Sequence, residues 1–189
     1  MQDPGWGGSW RALIPGAVRM GASARSMLST LRLVFVAYVA SVVLFGIVLF
    51  FAVSPGNDEA SLSGIAVAVV VAAGLVGLVG ARLLEKPLDC TDAQVLAAAY
   101  RTRFFLRVAG AEIGAFAGFV MAFVVHDAVA YLPGLALTMI GLWRAAPTAK
   151  HIEADQEALN AAGCPRSLLA TLTVAPTPPG LEPRPPSSG

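Results

Sequence analysis

The chain reads as an all-α integral membrane protein, a four-helix bundle. Three observations predict it: a composition poor in charge, four long apolar stretches, and cations confined to alternate connections. Of 189 residues, 56% are hydrophobic and 13% charged, against roughly 25% charged in ordinary soluble domains. Mean hydropathy is +0.69. A spanning helix needs about 20 apolar residues, and the stretches 33–53, 62–83, 104–125 and 128–146 reach or approach that length. The fourth is the weakest, because Pro133 and Arg144 shorten its uninterrupted core.

The net charge of +1 conceals a sided distribution. Arg11, Arg19, Arg25 and Arg32 precede the first span. Arg82, Lys86, Arg101, Arg103 and Arg107 surround the second connection, and Arg144, Lys150, Arg166 and Arg184 follow the fourth span. The connections 54–61 and 126–127 hold no Lys or Arg and carry Asp58, Glu59 and Asp127. The positive-inside rule therefore predicts a multi-pass protein of the cell membrane with both termini and the central loop cytoplasmic. The first span is too long, and lacks the small-residue cleavage pattern, for a removable signal peptide, so it is expected to stay. Cys90 and Cys164 both fall on the reducing side and stand in no metal or redox spacing, which predicts two inert thiols.

Residues 1–30 mix Gly, Arg and two Trp without a helical period and read as a loosely ordered cytoplasmic leader. Trp6 and Trp10 suit the lipid interface, and Met20 and Met27 are alternative starts to Met1. The membrane domain is expected over 31–146. In the central loop, Thr91 or Asp92 can cap a short helix feeding the third span. Residues 147–163 predict a cytoplasmic amphipathic helix, with Ile152, Leu159 and Ala162 near one side, Glu153, Asp155 and Glu157 near the other, and Gly163 with Pro165 as its stop. The Pro-, Ser- and Gly-rich tail 175–189 is expected to be disordered.

The halves resemble each other. A shift of 71 aligns Arg32 with Arg103, Ala40 with Ala111, Ser41 with Glu112 and Phe45 with Phe116, and a shift of 70 aligns Leu62 with Leu132 and Gly64 with Gly134. This predicts two parallel-repeat hairpins, related by an axis along the membrane normal. The acid occurs in the second copy alone.

Glu112 is the candidate functional residue, because an ionised group near mid-bilayer costs about 2.5–3.5 kcal/mol on insertion scales and marks a working site by default. At 100° per residue it shares a face with Phe105, Val108, Phe116, Phe119 and Phe123. Arg107 points off that face and Arg103 lies near the membrane boundary, so the expectation is a protonated, neutral acid with Ser41 and Tyr38 as hydrogen-bond partners. Gly110, Gly114 and Gly118 form a small-xxx-small stripe on the opposite side, suited to close helix packing. Gly74, Gly77 and Gly80 form a second stripe, spaced by three.

Arg101 and Thr102, followed by Ala109, Glu112, Ala115 and Gly118, resemble the second helix of the ATP synthase c subunit, the proteolipid of the rotor ring. The preceding span, through Gly74, Gly77 and Gly80, and Lys86 with Pro87 resemble that family's first helix and loop. The resemblance covers 64–125 and implies a proton-binding role for Glu112 alone. As a whole the chain also resembles small uncharacterised four-helix membrane proteins of actinobacteria, which implies no activity.

Nothing here forms a nucleophile motif, a phosphate loop or a metal signature. His126 with Asp127, and His151, read as solvated polar residues. No catalytic residue, metal or cofactor is expected, and no nucleic-acid partner, since topology already accounts for the arginines. Two functions follow as expectations. One is proton binding or conduction through Glu112, with the lipid bilayer and either further copies or a larger membrane complex as partners. The other is an accessory or scaffold subunit in which Glu112 is a structural hydrogen-bonding group and the helix from Thr148 meets a cytoplasmic partner.

Overall fold

The computed structural model describes residues 26–53 and 60–173, the side chains of 60–63 excepted. The leader through residue 25 with Trp6, Trp10 and Met20, the connection with Asp58 and Glu59, and the tail 175–189 lie outside the described residues. The described residues hold helices and no strand. The helices are α1 (Met27–Ala52), α2 (Ala60–Leu83), α3 (Ala93–Val124), α4 (Tyr131–Ala145, entered by a 3-10 turn Ala128–Ala130), α5 (Ala149–Ala161) and α6 (Leu168–Thr173). Four stretches, Met27–Ala52, Gly64–Leu83, Ala93–Val124 and Ala128–Ala145, are long and apolar enough to cross a membrane.

The ends of these helices follow from their caps. Ser26 accepts a hydrogen bond from the Ser29 amide at 3.3 Å and starts α1 at Met27, so helix occupies 27–30, which the sequence reading left in the loose leader. A capping hydroxyl overrides the lack of a strong apolar period there. Asp92 accepts from the Gln94 amide at 2.8 Å, and the expected short helix is continuous with the third span. The 32 residues of α3 extend about 48 Å at 1.5 Å each, well beyond the ~30 Å hydrocarbon thickness of a bilayer. Its first turns form a post to which other elements attach. Thr148 caps α5 through the His151 amide, and Gly163 at φ +79° ends it.

Around α3 the packing is unequal. α2 and α4 lie against it closely and also touch each other, whereas α1 approaches mainly α3 and α6 and scarcely meets α2. The two hairpins expected from the internal resemblance are therefore not packed alike.

Small residues explain the tight pairs. A Cβ built on Gly110 would stand 2.5 Å from the Ala81 Cβ and strike the Gly77 carbonyl, and one on Gly114 would lie 3.1 Å from the Gly134 carbonyl oxygen. Gly118 seats the Tyr131 backbone, and Gly141 of α4 faces Ala111 and Leu78. Gly74 meets Gly114 and Leu137. Gly80, expected to join this packing, has open space around its Cβ position. Its place in the three-residue spacing turns it away from the contact line, because helical faces repeat every 3.6 residues.

Polar bonds pin the bundle at three levels. Thr138 Oγ1 donates to the Ala111 carbonyl at 2.8 Å and accepts from the Ala115 amide at 2.9 Å. Tyr131 donates to the Val42 carbonyl at 2.8 Å. Arg32, only 1% exposed, donates through Nε to the Pro147 carbonyl.

Below the bundle, α5 and α6 fold back onto the protruding part of α3. Ile152 and Leu159 are buried as expected, while Asp155, assigned from the sequence to the polar side, turns inward to Arg103 and Arg107. The short α6, with Leu168 and Leu172 fully buried, gave no sequence signal because six residues are too few to show a period. The cysteines correct an expectation outright: Cys90 and Cys164 are bonded, with Cα atoms 5.9 Å apart across 74 positions, and neither is a free thiol. Arg166 donates to the carbonyls of Cys90 and Thr91 beside them. No sequence spacing foretells a pairing that a tertiary fold-back creates.

Gly134→Val should lower stability by roughly 1–3 kcal/mol through overpacking against α3. Gly80→Ala should leave it unchanged or slightly raised. Thermal unfolding of the detergent-solubilised chain measures both.

Candidate functional site

Glu112 sits where the loosest helix meets the central one. From α1 come Tyr38, Ser41, Val42 and Phe45; from α3 come Val108, Glu112 and Phe119. The Phe45 and Phe119 rings are 4.9 Å apart, and Phe119 stacks edge-on with Phe123, so aromatic surface closes the side of the seam away from the cations. Val108 is fully buried, but Phe116 is 61% exposed. Part of the aromatic face predicted around the acid thus points outward.

The carboxylate itself is half-buried. Ser41 Oγ stands 3.4 Å from Glu112 Oε1 and donates to the Tyr38 carbonyl at 2.8 Å. The structure brings Ser41 to the acid as expected. Tyr38 enters through its backbone oxygen, and its phenol has no bond to Glu112 among the described residues. No ion pair reaches Glu112 among them either.

The arginines of the same helix are committed elsewhere. Arg107 holds Glu85 with two bonds, Nε to Oε1 at 2.8 Å and Nη2 to Oε2 at 2.9 Å, the bidentate fork that suits guanidinium and carboxylate. Arg103 and Arg107 each reach Asp155 at 3.5 Å, Arg103 stands 3.5 Å from Glu85, and it donates to the Lys86 carbonyl at 3.0 Å. This network joins the loop after α2, the lower half of α3, and α5. Sequence reasoning placed these residues at one end, but the partners lie 17 to 52 positions apart, beyond any local pattern.

Among the described residues no cluster of three or more His, Cys, Asp or Glu could hold a metal ion. His126 occupies the left-handed region, φ 52°, and Asp127 caps the following turn through the Val129 amide, a tight-turn geometry. His151 places Nδ1 2.8 Å from the Ala146 carbonyl. Since a carbonyl only accepts, that nitrogen carries the proton.

Comparison of the chain with family models, curated proteins and solved structures gives no match.

Burial alone would raise the Glu85 carboxyl, but the hydrogen bonds and charge of Arg107, with Arg103 and Arg82 beyond, hold it below its ordinary 4.5. A lowered folded-state value means the unfolded chain binds more protons, so the stabilisation is complete above pH ~4.5 and is lost as pH falls through the lower folded value. Amide protection around Arg107 in α3, corrected for the intrinsic pH dependence of exchange, should therefore fall in acid. Glu85→Gln should remove this share of the pH dependence and cost roughly 1–2 kcal/mol, between exposed and buried ion pairs.

Proposed function

We propose that this chain is a small multi-pass membrane protein in which Glu112 is a protonatable intramembrane carboxylate, binding or passing a proton without enzymatic chemistry. The observation that carries the reading is the shared hydroxyl. Ser41 Oγ can donate to the Tyr38 carbonyl at 2.8 Å and to Glu112 Oε1 at 3.4 Å. A neutral carboxyl group can donate to that hydroxyl or accept from it, whereas a carboxylate can only accept. With no cation against it among the described residues and an apolar seam around it, the uncharged form is the one this environment favours. The c-subunit resemblance of 64–125 agrees with this role and adds no further residue.

Dicyclohexylcarbodiimide, which attacks protonated acids in apolar surroundings, should label the parent at Glu112, with labelling that declines as pH rises. Glu112→Gln should abolish it. Absence of labelling at any pH would reject the proposal.

A second reading, an accessory subunit, is supported by the position of the same contact. It ties α1, the helix least held by packing, to the rest, and α1 displays Phe50 and Phe51, about 80% exposed, as surface for lipid or a larger complex. Its cytoplasmic-partner component is weaker, since Ile152 and Leu159 of α5 are covered by the chain itself. On this reading Glu112→Gln, which keeps hydrogen-bonding capacity, leaves assembly intact, and the carbodiimide shows no pH response.

The cation distribution supports a cytoplasmic location for the end that carries Cys90 and Cys164. In intact cells the Cys90–Cys164 bond should then be opened and labelled by a membrane-permeant reductant followed by a membrane-permeant maleimide, and not by an impermeant pair. Reaction with an impermeant maleimide after an impermeant reductant would place that end outside.

A further inference from the structure

Beside the charge network, at the same end of the bundle, a cavity of about 570 Å³ opens between α2, α3 and α4. Its polar wall is made by Arg82, Glu85, Arg107, Arg144 and His151. Three guanidinium groups therefore face one carboxylate, and that carboxylate is already engaged by Arg107. Among the described residues the Arg82 and Arg144 guanidinium groups make no hydrogen bond and no close ion pair, Arg82 acting on Glu85 through its charge alone. His151 is fixed at the cavity edge by its bond to Ala146.

The two unengaged arginines arrive by the same device. Each lies in the last turn of its helix, Arg82 in α2 and Arg144 in α4, and each follows by one turn an apolar residue of the same cavity, Leu78 or Ile140. Ile140 is 54% exposed, and Trp143 stands beside it, 78% exposed. Gly141 and Ala145 keep the α4 wall low. The cavity is thus cationic toward the helix ends and apolar toward the bundle interior, and the outer surface continuing from its apolar part is greasy.

We propose that this cavity binds the phosphate of an anionic phospholipid, with Arg82 and Arg144 on the headgroup and Leu78 and Ile140 along the start of an acyl chain. The shared chemistry is a phosphate anion. The lipid is the source the site fits, because a soluble phosphate has no use for an apolar upper wall at the level where the spans end. Basic pockets between spanning helices near the cytoplasmic surface take anionic headgroups on this principle. The inference rests on the membrane-spanning reading and is independent of the role of Glu112.

The test uses the full chain in nanodiscs of phosphatidylcholine alone or mixed with phosphatidylglycerol, with native mass spectrometry counting the lipids retained. At about fivefold for each of the two arginines near a membrane surface, the parent should prefer phosphatidylglycerol roughly 25-fold. Arg144→Gln should reduce the preference about fivefold, and the Arg82→Gln, Arg144→Gln double variant should nearly abolish it. Lys150→Gln, an exposed cation outside the cavity, should leave it unchanged. Because Arg144 is exposed, its single variant keeps the test open if the double variant does not reconstitute. Equal retention of both lipids by the parent overturns the proposal, as does a Lys150→Gln effect equal to that of Arg144→Gln. Displacement of the lipid by inorganic phosphate or glycerophosphate would overturn the lipid source and leave a soluble-anion site. A chain that stays in solution without detergent or lipid would overturn the spanning reading itself, a result distinct from reconstitution without preference.

Discussion

Close backbone approach along one edge of α3 is the constraint on which the structure depends. In lipid, apolar side chains gain little by leaving one greasy surface for another, so helices associate through dispersion contacts, short polar bonds and the room that small residues give. Gly110, Gly114 and Gly118 bring the α3 backbone onto Gly74, Gly77, Gly134 and Tyr131. Thr138 then bonds both the Ala111 carbonyl and the Ala115 amide, on the turns flanking Glu112. A side chain at Gly77, Gly110, Gly114, Gly118 or Gly134 meets backbone, and one at Gly74 meets the Leu137 side chain first, so α2 and α4 are fixed in both distance and register.

That commitment shapes the rest. Because the small-residue edge of α3 is used twice, its other edge, bearing Val108, Glu112 and Phe119, is left for α1. This seam is held by one aromatic pair, the Ser41 contact and the Tyr131 bond to Val42. An acid in the tight interface would need a full set of partners. At the loose seam it has one hydroxyl partner and stays within reach of the surroundings, as the proposed proton-binding role requires.

The cation-rich end is organised on the opposite principle. There α3 runs on past the other helices, and its arginines gather Glu85 and Asp155 into a network that keeps positive charge away from Glu112. The disulfide and Arg166 hold the returning segment against the same post. Arg82 and Arg144 stand outside the ion pairs of this network, and their shared cavity is a consequence of two helices, α2 and α4, ending in basic residues beside Arg107 of α3.

Much of this was legible in the sequence. The four apolar stretches, the cap Asp92, the helix from Thr148, the stop at Gly163 and the sided charge are local patterns, and helix formation in an apolar chain is decided locally, because each backbone group bonds within four residues. The isolation of Glu112 from Arg107 could also be read, since angular position along one helix is fixed by spacing. Which helices pair, that Asp155 turns inward, that Gly80 stands clear, that Cys90 meets Cys164 and that Ser41 shares its oxygen with Glu112 were decided only by the tertiary structure. Each of these depends on side chains brought together from distant parts of the chain, and the strength of such contacts lies in tenths of an ångström of fit that no sequence spacing records.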